Sequence, residues 1–476
     1  MKTVLLPSDK TPFVSIRLLF ATGSVDDPAG KEGLAAATGA LLAEGGTRAL
    51  TYEQLLDALY PMAAGIGVHV DCEVTVVKGT VHRDHLDRYY DLIRQVVLEP
   101  RFDEKEFERL RDDQRNALVS GLRASDDEGF GIESLASLLY TGHPYGRPVE
   151  GTVRGIDALR REDAAAFHAT RFTRDALTLG LAGNIPDGFV ERVTEDLQAL
   201  PQGSARRADP PQASPVPGFD VLVVTKPARA WAISLGHVLS ITRADADFFP
   251  LFLANSYFGE HRTFNGALMT KMRSDRGLNY GNYSYVELFA QDGASTFALP
   301  NVPRQKQAFT VWIRPVAAEH AHFAIRLAVR ELRRLVRDGL TPEAFEETRA
   351  FLLNYSKLWS QTPSRRLGYA MDGVFYGGKS LVDELADRLP RMTVDDVNLA
   401  IRRHLLPESL KIAVIADPAA AEAFAAGLAS NAPSPIVYAT ETKSEVLSED
   451  REIAVEALPI ERTRCRIVPA TVMFEQ

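Results

Sequence analysis

A pattern of strand, helix, helix, strand and long helices occurs twice along this 476-residue chain, at a period of roughly 220 residues. A duplication of that length makes the chain a two-domain repeat and excludes a solenoid of short units. In the first copy, Val14 to Phe20 is dominated by Val, Ile, Leu and Phe and predicts a strand. A loop and a helix from Leu34 to Ala43 follow; Ala and Leu favour helix there, and Gly45-Gly46 supplies the stop. Thr51 and Gln54 have capping-box spacing and open a second helix. The alternating β-branched residues of GIGVHVDCEVTVVKGTVH predict a hairpin or long strand. Asp84 to Leu98 places Leu86, Tyr90, Leu92, Ile93, Val96 and Val97 at helical spacing. Asp103 to Leu122 is a charged helix whose apolar stripe is Phe107, Leu110, Ala117 and Leu118.

The second copy repeats the order. Asp220 to Thr225 predicts a strand, Ala244 to Phe258 and Gly266 to Asp275 predict helices, and Tyr280 to Phe297 is a strand region. Ala317 to Asp338 and Thr341 to Trp359 are long amphipathic helices. The strand-like segments LTLGLAGNI and LKIAVIADP close the two copies at matching positions. Between the copies, PQGSARRADPPQASPVPG holds five prolines and reads as an exposed linker. The expected division is a first domain over 1–200, the linker over 201–218, a second domain over 219–440 and an appended arm over 441–476. The arm begins acidic and ends in the β-prone run CRIVPATVMF. The expected class is α+β: two homologous domains, each a mainly antiparallel sheet with helices packed on one face.

An apolar share of 45% with 25% charged residues is that of a globular protein. The net charge of −9 argues against a broad nucleic-acid surface. No run approaches the roughly 20 apolar residues that span a bilayer. The opening MKTVLLPSDK is not a signal-peptide core, so the expected location is cytoplasmic, or periplasmic if a signal has been removed. Cys72 and Cys465 are the only cysteines, too few for a disulfide framework or a Cys-rich zinc site. No G-x-S-x-G, P-loop or G-x-G-x-x-G is present. His82-Arg-Asp-His85 lies where a strand gives way to a helix and reads as solvated histidines with a capping Asp84, and His143 in HPYGRP reads as a loop residue.

Several segments, in this order and spacing, resemble the M16 family of zinc metallopeptidases. They are ATGSVDDPAGKEGLA, HPYGRPVEGT and the LxLAGNIP strand in the first copy, then MRSDRGLNYGNYSY and DGLTPEAFEETRAFL in the second. The resemblance implies an inverted zinc motif, His-x-x-Glu-His, on the helix after Gly33-Leu34-Ala35, completed by a Glu roughly 75 residues later. The two His would bind zinc from one helix face and the intervening Glu would act as base for the bound water. This chain has Ala36 and Ala40 where the family places its histidines, Gly39 in place of the Glu, and Asn116 near the position of the last carboxylate. Asp112 and Asp113 lie one turn earlier, but two carboxylates without imidazole make a poor zinc site.

The resemblance also implies an Arg and a Tyr, seven residues apart, that hold substrate across the chamber from the zinc. Here they are Arg273 and Tyr280, with Arg276 as the rival for the Arg position. A guanidinium and a phenol both donate to a peptide carbonyl and to the oxyanion formed from it. The expectation is a non-catalytic, substrate-binding subunit without a metal of its own. It would pair as a heterodimer with a zinc-bearing M16 chain to act on unfolded peptides. The alternative is a structural scaffold subunit with no part in proteolysis.

Overall fold

The computed structural model describes residues 1–203, 217–291, 296–438 and 441–476. The first half runs β1 (Lys2–Pro7), β2 (Phe13–Phe20), α1 (Leu34–Glu44), α2 (Tyr52–Leu59), β3 (Gly67–Val70) and β4 (Thr75–His82). It continues through α3 (Leu86–Leu98), α4 (Glu104–Asn116), α5 (Asp127–Leu139), α6 (Val153–Asp157), α7 (Arg161–Arg171), β5 (Leu177–Gly183) and α8 (Phe189–Asp196). The second half opens with β6 (Asp220–Thr225), β7 (Ala230–Leu239), α9 (Phe248–Gly259), α10 (Ala267–Met269), β8 (Asn282–Tyr285) and β9 (Gln307–Ala317). Then come α11 (Ala321–Asp338), α12 (Pro342–Trp359), α13 (Pro363–Tyr376), α14 (Leu381–Arg388) and α15 (Val394–His404). The chain closes with β10 (Lys411–Ala416), α16 (Pro418–Ala429), α17 (Ser444–Ile453) and β11 (Cys465–Pro469).

The sheet orders are β1-β5-β2-β4-β3 and β11-β6-β10-β7-β9-β8. Apart from β11, the second is the first with each strand replaced by its counterpart, so the duplicated sequence folds into duplicated topology. Both sheets are mixed. The β1–β5 pair and its counterpart β6–β10 are parallel, and the other pairs up to β3 and β8 are antiparallel. Pairing is mainly antiparallel, as expected, with one parallel pair toward the edge of each repeat. The parallel pair arises because β1 and β5 lie far apart in sequence and are joined across the sheet by helices rather than by a hairpin.

Each sheet carries helices of its own half on one face, as expected, and buries the second face under a helix from the other half. In the first sheet Leu179 and Leu181 face the core built with α1, α3 and α7, while Ala182 and Leu19 meet Leu367 and Met371 of α13 from the other half. In the second sheet Val221 and Val223 join the core with α9 and α11. Leu222 and Val224 face Phe130 of α5, again from the other half. The two halves therefore exchange corresponding helices. Gly180 permits one of these approaches, since a Cβ there would lie 2.5 Å from the Met371 sulfur.

Much of the expected linker, 204–216, lies outside the described residues. The stretch 441–476 is more than an appended arm: β11 pairs in parallel with β6 and extends the second sheet. Past it, Phe474 packs edge-on to Phe130, and its carbonyl accepts the Val153 N–H at 3.0 Å. Glu475 accepts the Arg154 N–H at 3.1 Å and both terminal nitrogens of Arg123 at 3.2 and 3.3 Å. This end of the chain straps the second sheet to the first half. The pattern reading passed over β7 and β9. The continuously apolar, Gly-containing β7 lacks alternation, and Pro315 argues against a central strand in β9. In the fold Pro315 lies where the β7–β9 register slips.

Candidate functional site

Helix α1 starts at Gly33, whose φ of 108° lies in the left-handed region open to glycine. The Asp27 carboxylate accepts the N–H groups of Gly33 at 2.8 Å and Ala35 at 2.7 Å, capping the helix from a loop. Ala36 and Ala40 are half-buried on one helix face, as their spacing requires. Helix α4 lies antiparallel to α1. Arg109 pairs with Glu44 at 3.1 Å at one end, and the Gln114 amide donates to the Gly33 carbonyl at 2.9 Å at the other. Asn116, two residues past Gln114, ends α4 beside the start of α1 and is exposed. From Ala117 to Ser125 the helix continues in wider turns, as in the Asp126 N–H bond to the Gly121 carbonyl at 3.0 Å.

These positions do not fit a zinc ion. Alanine and glycine offer no donor, and a single neutral amide does not replace two imidazoles and a carboxylate. Among the described residues no three His, Cys, Asp or Glu side chains group as metal ligands. The space is also rebuilt: a Cβ on Gly39 would sit 2.3 Å from Val70 Cγ2 and 3.6 Å from Val68 Cγ1. Val70 of β3 thus occupies the space into which a side chain at position 39 would project.

The Arg/Tyr pair stands on the other half. After α10 the chain passes through wide helical turns over Thr270–Ser274, a geometry that concentrates at functional sites. Arg273 leaves this turn and donates to the Tyr280 carbonyl at 3.2 Å. Its guanidinium lies 4.9 Å from the ring centre of Phe264 and 5.6 Å from that of Tyr280, held between two aromatic faces. Tyr280 is 76% and Phe264 64% exposed. One guanidinium N–H is thus engaged with backbone, while the phenol stands in solvent. Phe264 was not singled out from sequence. Its only signal is a large apolar residue in the otherwise polar HRTFN loop.

Arg276 is occupied elsewhere. Its side chain is fully buried, donating to Asp450 at 2.8 Å, to Glu449 at 2.6 Å and to the Lys271 carbonyl at 2.8 Å. Tyr438 adds a bond to Asp450 at 2.7 Å. Arg276 therefore anchors α17 and has no free side facing solvent. His82 and His85 are surface residues, with His82 beside Asp84 at 3.5 Å. The His143 ring accepts the Tyr145 N–H at 3.0 Å and shapes its loop; burial pushes its pKa down to about 4.

Residues 3–153 match the family model described as insulinase (peptidase family M16), and residues 158–352 match that of the peptidase M16 inactive domain. An uncharacterized zinc protease of Mycobacterium tuberculosis is 26% identical over 329 residues, 68% of this chain and 70% of the relative. The non-peptidase homolog YmxG of Helicobacter pylori is 22% identical over 422 residues, 85% of this chain and 89% of its own. A peptidase M16 inactive domain from Pseudomonas fluorescens superposes with a TM-score of 0.76 at 21% identity, over 87% of this chain and 95% of that one. The periplasmic protease PqqL of Escherichia coli superposes with a TM-score of 0.66 at 12% identity, over 95% of this chain but 49% of its own. With both halves of the duplicated fold matched in order, this chain belongs to the M16 peptidase family.

Proposed function

We propose that this chain is the non-catalytic, substrate-binding subunit of a heterodimeric M16 zinc peptidase. The observation that carries the reading is a contrast between the halves. The zinc positions have no strong donor, and Val70 of β3 fills part of their space, while Tyr280 stands exposed beside a half-buried Arg273 that keeps N–H groups to donate. A zinc-bearing partner would supply the activated water. Arg273 and Tyr280 would hold the scissile carbonyl and stabilise the oxyanion as it forms. Held between two rings and tied to a backbone carbonyl, the guanidinium loses little freedom on binding, which favours orientation of the peptide. The non-peptidase name of the H. pylori relative supports the silent half of the reading. The match of the whole fold to about half of PqqL is what two such units in one working assembly would give.

The test is reconstitution with a zinc-bearing M16 chain from the same source. Arg273→Ala or Tyr280→Phe should cut kcat/KM by about 100- to 1000-fold if the donor acts on the oxyanion, and by less if it only positions the peptide. Because the pair works as one clamp, the double variant should fall short of the product of the singles. Full activity of the double variant in an assembled complex removes the clamp and leaves the scaffold role. Alone, the chain should hold no stoichiometric zinc by elemental analysis and should leave unstructured peptides uncut.

A further inference from the structure

Helix α5 covers the inner face of the second sheet over β10 and β7, and beyond it the face over β9 and β8 is left open as a cleft of about 510 Å³. That volume is within the range of about 300–1,000 Å³ usual for ligand sites. Its floor is aromatic: Trp312 on β9 and Tyr285 on β8, with Phe289 stacked on Tyr285 at 4.8 Å between ring centres. Ile132 and Ala136, four residues apart on α5, form the facing wall. Three donors on lining residues, the Ser234 hydroxyl, the Trp312 indole N–H and the Arg304 Nε–H, are buried without a partner, and Ser234 is only 2% exposed. The matching cleft in the first half, beside α13, is smaller at about 350 Å³ and is lined by polar groups such as Arg17, Lys78 and Ser364. The duplicated architecture opens a gap in both halves; the second has the aromatic floor, and charged groups such as Glu128, Arg262, Glu287 and Arg314 also line it.

The cleft also adjoins the Arg/Tyr pair. Strand β8 begins two residues after Tyr280, and its Tyr283 and Tyr285 project to the same face. Tyr283 packs edge-on to Trp312 at 5.6 Å and lies in the field of Arg273.

We propose that this cleft receives a large apolar side chain of an unfolded peptide whose backbone is held at Arg273 and Tyr280. The inference rests on the substrate-binding role argued above. The aromatic floor takes the side chain, with Ile132 and Ala136 closing over it from α5. The chain thereby contributes selectivity for bulky apolar residues as well as a clamp.

The experiment uses the full chain and fluorescein-labelled Gly/Ser-rich peptides carrying one central Phe or Ala, with binding read by anisotropy. Phe should bind tenfold or more tightly than Ala, about what burial of such a side chain gives. Ile132→Asp on one half-exposed wall position and Ala136→Trp as a filler should each abolish that ratio, with unfolding curves showing an intact fold. Replacing both Arg273 by Ala and Tyr280 by Phe should weaken both peptides and keep the ratio. Equal binding of the two peptides, or a ratio that survives both wall variants, overturns the pocket. A ratio lost in the wall variants while the Arg273/Tyr280 variant binds both peptides as tightly as the parent overturns the clamp and leaves the pocket standing.

Discussion

Of the three positions Ala36, Gly39 and Ala40, Gly39 is the one where packing leaves no room for a larger side chain. Histidines at positions 36 and 40 would find half-open space, whereas any side chain at 39 collides with Val70. Restoring the motif as Ala36→His, Gly39→Glu, Ala40→His and Asn116→Glu should therefore yield no stoichiometric zinc and should cost about 1–3 kcal/mol by overpacking. Adding Val70→Ala should return most of the lost stability in a denaturant titration; if the fourfold variant is as stable as the parent, β3 is not the obstacle. The two arginines three residues apart make the opposite comparison. Arg273→Ala removes an exposed contact and should change unfolding free energy by less than about 0.5 kcal/mol. Arg276→Ala leaves the buried Asp450 without its guanidinium and should cost about 3–5 kcal/mol.

Among the elements, the exchanged helices α5 and α13 are what make two repeats one molecule. Gly180→Val would push into Met371 and Leu367, whose atoms lie 2.5 and 3.1 Å from where a Cβ would sit. The expected loss is about 1–3 kcal/mol, partly recovered by Met371→Ala in a double-mutant cycle. Helix α17 is held by charge, and its anchorage should weaken in acid. Burial opposes ionisation of Glu449, but the hydrogen bonds from Arg276 and Lys271 outweigh it and hold its pKa below the usual 4.5. A lowered carboxylate pKa means that the unfolded chain takes up the proton first as pH falls. The stabilisation is present above about pH 4.5 and is lost as pH drops through the lowered value. The protection of α17 amides, relative to their intrinsic exchange rates at each pH, should thus fall in acid, and much less so in a Glu449→Gln variant, where no carboxylate titrates.

At the scale of the molecule, the two halves meet through the exchanged helices, a polar seam and the C-terminal strap. In the seam Arg304 donates to Asp71 at 3.1 Å and Gln305 to Glu73 at 3.0 Å, joining residues more than two hundred positions apart. A chain ended after Pro469 keeps β11 but loses the burial of Phe474 and the partner of Arg123. The apolar term alone predicts a loss of about 1.5–3 kcal/mol. Unchanged unfolding of the shortened chain would show that the strap carries no load.

The sequence by itself determined the duplication, because periodicity is local and each copy carries it. It also determined the long helices and the capping box at Thr51, where the Gln54 side chain accepts the Thr51 N–H at 2.9 Å. The absence of metal donors at Ala36, Gly39 and Ala40 was legible too, since a ligand is a residue type and these side chains have none to offer. Tertiary structure alone decided the rest. Arg273 and Arg276 read alike as helix residues until an acidic pair more than 170 positions away buries one and leaves the other open. Helix α5 is written in the first copy, but its apolar side belongs to the second sheet, and α13 returns the exchange. The intrusion of Val70, the aromatic floor under Trp312 and the docking of β11 depend in the same way on pairings distant in sequence, which no local pattern encodes.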